Sequence, residues 1–590
     1  MTRANSEGLP QHLRQYVCDQ EYERYTPKDQ AVWRFVMRHL VRVLSNSAHP
    51  VYREGLEKTG IRLDRIPSIE EMNGCLSSLG WSAVVVDGYI PPAVFSEFQM
   101  RKVLAIARDM RRVDQILYTP APDLVHEAAG HAPFIADVDY AEYLQRFGEI
   151  GLKAIASRAD DEVYQAVRQL SDAKQDADAT TARVEQAQAR LDAALAANDQ
   201  TSEAARLARL GWWTIEYGLV GTVDDYRIFG AGLLSSLGES RSCLDDQRVP
   251  KRPLTIEAIR MPYDITRAQP QLFVARSCQH LSQVLETFAE GMCFRRGGAA
   301  SLRTAVASGT VCTARYSSGV EVTGAFDRLL TDAMDHPIYL GTCGPTQLAY
   351  DGRQLAGHGV DRHARGFGAP VGRLQGLARC LSEYGVDELK RHGIEIGRTV
   401  RLDFLSGIVV EGRLLRLLRE RGHNLVLGFE ECRVIGPEGQ PLFDPSWDEY
   451  DMTVGDAIVS VYGGPADRAH YPQPPELTGH HQTPPRAMAP DEAALQSIYS
   501  DIRRLHEGQG SESDEASEVD ALRVRLGAHP REWLARLELL ELAGDQSACA
   551  LTRELEGIAR DHSESAPLIR MGLATASGER RPVEDFAYSA

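Results

Sequence analysis

Apolar side chains recur at three- and four-residue spacing through most of the first 300 residues, as in Gln30 to Leu44 and Phe98 to Arg112. That period predicts helices joined by short loops. One extended stretch, Trp81 to Ile90, interrupts them. Between about Asp160 and Arg209 the composition shifts to Ala, Gln, Asp and Arg. A thin apolar stripe remains at Leu170, Val184, Leu191 and Leu195, with a break at Asn198-Asp199. This predicts an inserted helical hairpin, a surface excursion without chemistry. From about Val311 to Gly464 the pattern changes to short β-rich runs between glycines, such as Thr399 to Leu405, Gly407 to Leu414 and Asn424 to Gly428. Residues 465–490 carry Pro465, Pro472, Pro474, Pro475, Pro484, Pro485 and Pro490, a density that suits an extended linker. Helical periodicity returns in Asp491 to His506 and Val519 to Ala559. The expected organisation is therefore multidomain: a mostly α-helical domain at 1–300 with a small β element and the hairpin at 160–209, a β-rich domain of unknown function at 311–464, the linker, and a helical region at 491–590.

Length supports that division, since 590 residues exceed what one core organises. The sequence shows neither a signal peptide nor an apolar run long enough to span a membrane, so a soluble cytoplasmic protein is expected. Ten scattered cysteines without a CxxC pair fit reduced thiols. A formal charge of −18 disfavours nucleic acid as a partner.

The segment Tyr118 to Pro133, YTPAPDLVHEAAGHAP, places two histidines five residues apart with a glutamate directly after the first. Pro122-Asp123 is a helix-start signal and Gly130 followed by Pro133 a stop, predicting a short helix over about Leu124 to Ala129. On a regular helix five residues turn through about 500°, which would separate His126 from His131. With the helix ending at Gly130, His131 lies on the turn beyond and swings back. The zinc-protease motif HExxH fails here, because position 130 is glycine. An isolated HxxxxH pair is more often a pair of core or capping residues. The segment GWWTIEYGLV changes that balance by placing Glu216 in apolar, aromatic surroundings, where an unpaired charge costs several kcal/mol. Two histidines and a carboxylate satisfy one another through a divalent metal, as in non-haem iron oxygenases or catalytic zinc sites. His336, His358 and His363 form no such recognisable pattern, and the pair His480 and His481 reads as solvated linker.

YTPAPDLVHEAAGHAPF, WWTIEYGLV and YRIFGAGLLSSLGE resemble, in order, three segments of the biopterin-dependent aromatic amino acid hydroxylases, over about Glu21 to Glu290. The resemblance implies that family's helical catalytic fold. It also implies Fe(II) held by His126, His131 and Glu216, with a tetrahydropterin and dioxygen as co-substrates. Carried over by position, Arg111 holds the substrate carboxylate with Asp123 as partner, Thr119 and Ser235 lie nearby, and Pro122, Trp212 and Gly232 line the ring pocket. VDGYIPPAVF aligns with the pterin loop: Phe95 stacks on the pterin, Gly88 and Ile90 give backbone contacts, and Glu127 reaches the pterin through water. Pro92, Gly211 and Tyr217 depart from the animal pattern, which has serine, tyrosine and phenylalanine there. No room is expected ahead of this domain for the N-terminal regulatory domain of the animal enzymes.

Trp212 matches a position that is tryptophan in phenylalanine and tyrosine hydroxylases. Ile265 matches one that is apolar in phenylalanine hydroxylases and acidic in tyrosine hydroxylases. An apolar wall leaves no polar group unpaired against a para hydrogen. Hydroxylation of phenylalanine to tyrosine is therefore the expected activity. The alternatives are tyrosine or tryptophan hydroxylation, a zinc hydrolase with Glu127 as base, and a ligand-sensing protein on the same fold. The 311–464 domain regulates, docks a pterin-recycling enzyme or binds another ligand; the oligomeric state is left open.

Overall fold

The computed structural model describes residues 8–117, 122–176, 179–198, 201–265, 268–472, 489–507 and 515–576. The helical half is organised on the helix Pro27–Leu44, started by a Thr26–Asp29 capping box with Pro27 in its first turn. It is buried on nearly every side: Trp33, Val36, Met37 and Leu40 have essentially no exposure. Beside it lies a three-stranded sheet in which Ser82–Val86 pairs antiparallel with Val17–Cys18 and parallel with Val103–Ala107.

That last strand corrects the helix expected over Phe98 to Arg112. The helix Pro92–Met100 stops at Met100, Lys102 turns the chain at φ 59°, and VLAIA enters the sheet with all five residues buried. Three-residue spacing cannot separate a helix face from a continuous apolar run, and five buried positions in succession belong to a strand covered on both faces.

The helices Arg158–Gln175 and Thr181–Ala197 form a hairpin around their own small cluster of Ala166, Leu170 and Leu191. Glu203–Gly211, which composition groups with them, is built differently: buried Glu203 accepts the backbone N–H groups of Ile155 and Cys293, tying this helix into the main core.

The β-rich half holds two sheets with two cores. In the first, the order is Arg353–Gln354, Pro337–Tyr350, Val320–Thr331, Val311–Tyr316, Ile458–Gly463, with Gly366–Pro370 also on Pro337–Tyr350. Its first and last strands in sequence are neighbours, so the domain closes where it opened. The second runs Thr399–Asp403, Val409–Glu420, His423–Ile435, Pro441–Phe443, with Tyr450–Thr453 on His423–Ile435. Beyond Gly463 the chain stays packed: the buried Asp467 accepts the Gln354 backbone N–H, and its own N–H donates to Gln347. The expected extended linker thus begins as a packed segment. His480 and His481 lie outside the described residues.

Among the described residues five α-helices follow, Pro490–His506, Glu515–Arg525, Trp533–Leu542, Asp545–Asp561 and Ala566–Ala576. Pro490–His506, Trp533–Leu542 and Ala566–Ala576 pack on the Pro27–Leu44 helix. Arg34 makes a two-pronged buried ion pair with Glu538 at 2.6 and 2.7 Å, and the Trp533 ring meets Phe35 edge-on at 5.3 Å. Among the described residues no helix is long and apolar enough to cross a membrane.

Candidate active site

Two short π-helices, Val125–His131 and Trp212–Glu216, carry the three residues singled out for metal binding. This corrects the helix ending at Ala129. With i→i+5 hydrogen bonds each turn takes in more residues than an α-turn, so side chains five apart stand on one face. His131 is therefore inside the helix and faces His126 directly, with Nε2 atoms 3.1 Å apart. Glu216 closes the triangle: its Oε2 is 3.2 Å from His126 Nε2 and its Oε1 3.4 Å from His131 Nε2. Burial pushes the Glu216 carboxyl up, but the facing His131 and His126 outweigh it and hold the group well below the usual carboxylate range. Three such donors, two nitrogens and a carboxylate on one side, fit a first-row divalent metal with open positions opposite.

The glycines explain how the elements come close. A Cβ at Gly130 would stand 2.8 Å from the Ala231 carbonyl oxygen, and one at Gly232 2.9 Å from the Tyr217 ring. The helix Ala231–Leu234 can therefore lie against both π-helices and deliver Ser235. The Ser235 hydroxyl donates to the Ala231 carbonyl at 2.8 Å and lies 3.0 Å from His126 Nδ1. With its proton committed, it accepts from Nδ1–H, which leaves the lone pair on Nε2, toward Glu216.

Arg111 and Asp123 meet as a buried two-pronged pair: Nε to Oδ2 at 2.7 Å and Nη2 to Oδ1 at 2.8 Å, with Nη1 donating to the Ser235 carbonyl at 3.0 Å. Burial raises and the guanidinium lowers the Asp123 carboxyl, with the net result below its usual range. Asp123 Oδ1 also accepts the His126 backbone N–H at 3.0 Å, so the same carboxylate that holds Arg111 starts the first π-helix.

Glu127 Oε2 lies 3.9 Å from His131 Nε2. Burial, offset by His131 and reinforced by Glu216 and Asp123, pushes its carboxyl up to about 8. Trp212 is half-buried, stacked on Tyr263 at 4.4 Å and 13°, and its indole N–H donates to Gln269 at 3.0 Å. Pro122 and Ile265 are half-buried on the flanking loops. Gly88 turns the chain at φ 63°. Ile90 and Phe95 pack with Val84, Val86 and Phe98 in an apolar cluster separate from the core around the triad. Thr119 lies outside the described residues.

Sequence reasoning missed a polar network behind Trp212. Tyr217 donates to Glu239 Oε2 at 3.1 Å, the Gln269 backbone N–H donates to Glu239 Oε1 at 3.2 Å, and the Gln269 amide donates to the Asp264 carbonyl at 3.0 Å. Burial, opposed by the Gln269 and Tyr217 donors, pushes Glu239 up to about 7. The signal was present: Glu239 ends the apolar run AGLLSSLGE, as Glu216 stands in WWTIEYGLV. The phenylalanine ring of Phe147 explains the glycine at 211, where a Cβ would stand 2.9 Å from its tip.

A family profile described as biopterin-dependent aromatic amino acid hydroxylase matches residues 15–170 and 177–296. The chain is similar to the phenylalanine-4-hydroxylases of Chromobacterium violaceum, 27% identical over 286 residues (47% of this chain, 82% of that protein), and of Pseudomonas aeruginosa, 28% identical over 277 residues (46% and 88%). That of Ralstonia nicotianae is 31% identical over 280 residues, 47% of this chain and 75% of the relative. Among solved structures, the Chromobacterium violaceum enzyme with bound iron(III) and 7,8-dihydrobiopterin matches at 26% identity, over 47% of this chain and 87% of that one, with a TM-score of 0.36.

Proposed function

Because this chain belongs to the biopterin-dependent aromatic amino acid hydroxylase family, we propose that it is an Fe(II)- and tetrahydropterin-dependent monooxygenase that converts L-phenylalanine to L-tyrosine, with dioxygen as co-substrate. The observation that carries the reading is the meeting of His126, His131 and Glu216 beside the Arg111–Asp123 pair, inside the part of the chain that matches the family. His126, His131 and Glu216 hold the iron. Bound iron and pterin together supply the oxidising power for ring hydroxylation; the protein supplies orientation and a dry site.

Arg111 binds the substrate carboxylate. Asp123 takes the Nε–H and one Nη2–H and the Ser235 carbonyl takes one Nη1–H, which leaves one N–H on each Nη for a second anion. Pro122, Trp212, Gly232 and Ile265 form the wall around the aromatic ring, with Thr119 and Ser235 at the carboxylate end. Trp212 is held flat by Tyr263 on one side and Gln269 at its N–H. Ile265 gives the para position an apolar neighbour, which suits phenylalanine. On the pterin side, Gly88 and Ile90 offer backbone groups, Phe95 a ring to stack on, and Glu127 a carboxyl that reaches the pterin through water. We place the protein in the cytoplasm, which the free state of its ten cysteines supports.

The test is turnover. Purified protein is loaded with Fe(II) without air, then given air, tetrahydrobiopterin and phenylalanine, tyrosine or tryptophan in parallel. Tyrosine formed from phenylalanine, dependent on pterin and abolished in Glu216→Ala, is the expected result. Bound iron with neither product nor pterin oxidation on any of the three substrates would overturn the reading.

A further inference from the structure

The β-rich half contains a second group of metal-type donors that no part of the hydroxylation chemistry uses. His358 and His363 lie on the connection between the strands Arg353–Gln354 and Gly366–Pro370 of the first sheet, and Asp451 lies on Tyr450–Thr453 of the second. All three are buried, at 5%, 8% and 5% exposure. Sequence reasoning found no ligand pattern there because the third member lies 88 residues beyond His363 and on another sheet.

The backbone holds both rings in place. The His358 N–H donates to the Leu355 carbonyl, Leu348 N–H donates to the His358 carbonyl, and Thr346 N–H donates to the His363 carbonyl, so the connection is pinned to Pro337–Tyr350 at each histidine. His358 Nδ1 and His363 Nε2 are 3.3 Å apart, and Asp451 Oδ2 is 3.9 and 4.0 Å from them. The nearest point equidistant from these three atoms lies about 2.2 Å from each, within about 0.2 Å of a zinc–imidazole or zinc–carboxylate bond. Behind the carboxylate, Arg362 Nε donates to Oδ2 at 2.6 Å and Arg416 to Oδ1 at 2.7 Å, and Glu449 takes another arm of both arginines. Oδ2 keeps a lone pair beyond its bond to Arg362. Two carboxylates balance the two guanidinium charges, and the outer hydrogen bonds orient the inner ligand, as second-shell groups do at metal centres.

We propose that His358, His363 and Asp451 bind a second divalent cation of the zinc type, joining the two sheets of the β-rich half. Two nitrogens and one carboxylate with no thiolate suit zinc, with a fourth position left for water. The rings lie within 17° of parallel, so coordination turns each of them somewhat toward Asp451. The competing arrangement is one proton shared between Nδ1 and Nε2, with no ion.

Zinc titration decides between them. The full chain carrying His126→Ala and His131→Ala, stripped with a chelator, is titrated with Zn(II) by calorimetry, beside the stripped wild-type chain. One equivalent is expected in the variant and two in the wild type. Adding His358→Gln, or separately Asp451→Asn, is expected to weaken the remaining equivalent by more than the roughly 10–100-fold that loss of an outer-shell partner costs. Binding of only one equivalent by the wild type and none by the His126→Ala/His131→Ala chain overturns the proposal and leaves the proton-sharing pair. So does an equivalent that survives both added substitutions undiminished. The comparison of the wild-type and His126→Ala/His131→Ala chains requires no altered residue in the β-rich half, so misfolding of a variant there does not affect that count.

Discussion

Tyr217 donates a 3.1 Å hydrogen bond to Glu239, which ties the residue directly after Glu216 to the short helix Glu239–Ser242. The tie runs onward through Gln269, whose backbone N–H reaches Glu239 and whose side chain holds both the Trp212 indole and the Asp264 carbonyl. One half-buried carboxylate thus links the residue beside Glu216 to Trp212 and to the loop that carries Ile265.

Tyr217→Phe removes this link while keeping the ring against Trp212, 4.8 Å away. Loss of one hydrogen bond of about 1 kcal/mol should raise KM for phenylalanine roughly 3- to 10-fold with little change in iron content. Steady-state kinetics paired with iron analysis checks this; lost iron would assign Tyr217 to the metal site instead.

Glu239 gives a pH signature. Its folded pKa is raised to about 7 from the usual 4.5, so the stability it contributes is full below about pH 4.5 and is lost as pH rises through about 7. Glu239→Gln carries no such loss. The variant's melting temperature should gain on the wild type across that window, by the equivalent of about 3 kcal/mol at most. Thermal melts from pH 4.5 to 8.5 read the difference; a constant offset would contradict it.

At Arg111 the fork geometry is the point. Arg111→Lys keeps the charge but cannot span both Asp123 oxygens and a substrate carboxylate. KM for phenylalanine should rise about 100-fold, the value of two charge-assisted hydrogen bonds. Turnover of 2-phenylethylamine, which lacks the carboxylate, should change far less. Equal losses on both compounds would remove Arg111 from substrate binding.

Gly211 and Phe147 form a steric pair, since a Cβ at 211 would stand 2.9 Å from the Phe147 ring. Gly211→Ala should destabilise the protein by about 1–3 kcal/mol, and adding Phe147→Leu should return part of that. Chemical denaturation of the two single variants and the double measures the coupling; strict additivity would show that the ring is not the obstacle.

The helix Pro27–Leu44 and the β-rich character of 311–464 were legible in the sequence, because each rests on a repeating apolar period or on β-forming runs between glycines. The triad was legible as residue types: a carboxylate in the apolar run WWTIEYGLV demands partners, and HEAAGH offers them. What spacing could not supply was the helix type. A π-turn and an α-turn share local composition, and only the folded chain shows which one forms, with Ala231–Leu234 packed closely against Gly130. The strand Val103–Ala107 was hidden because a fully buried strand shows no alternation. The sequence by itself determined which side chains demanded burial or a partner, since that follows from their chemistry. Only the tertiary structure decided which partners they met. Tyr217 with Glu239, Gly211 with Phe147, and His358 and His363 with Asp451 are separated along the chain by distances that no local period encodes, and are joined by packing alone.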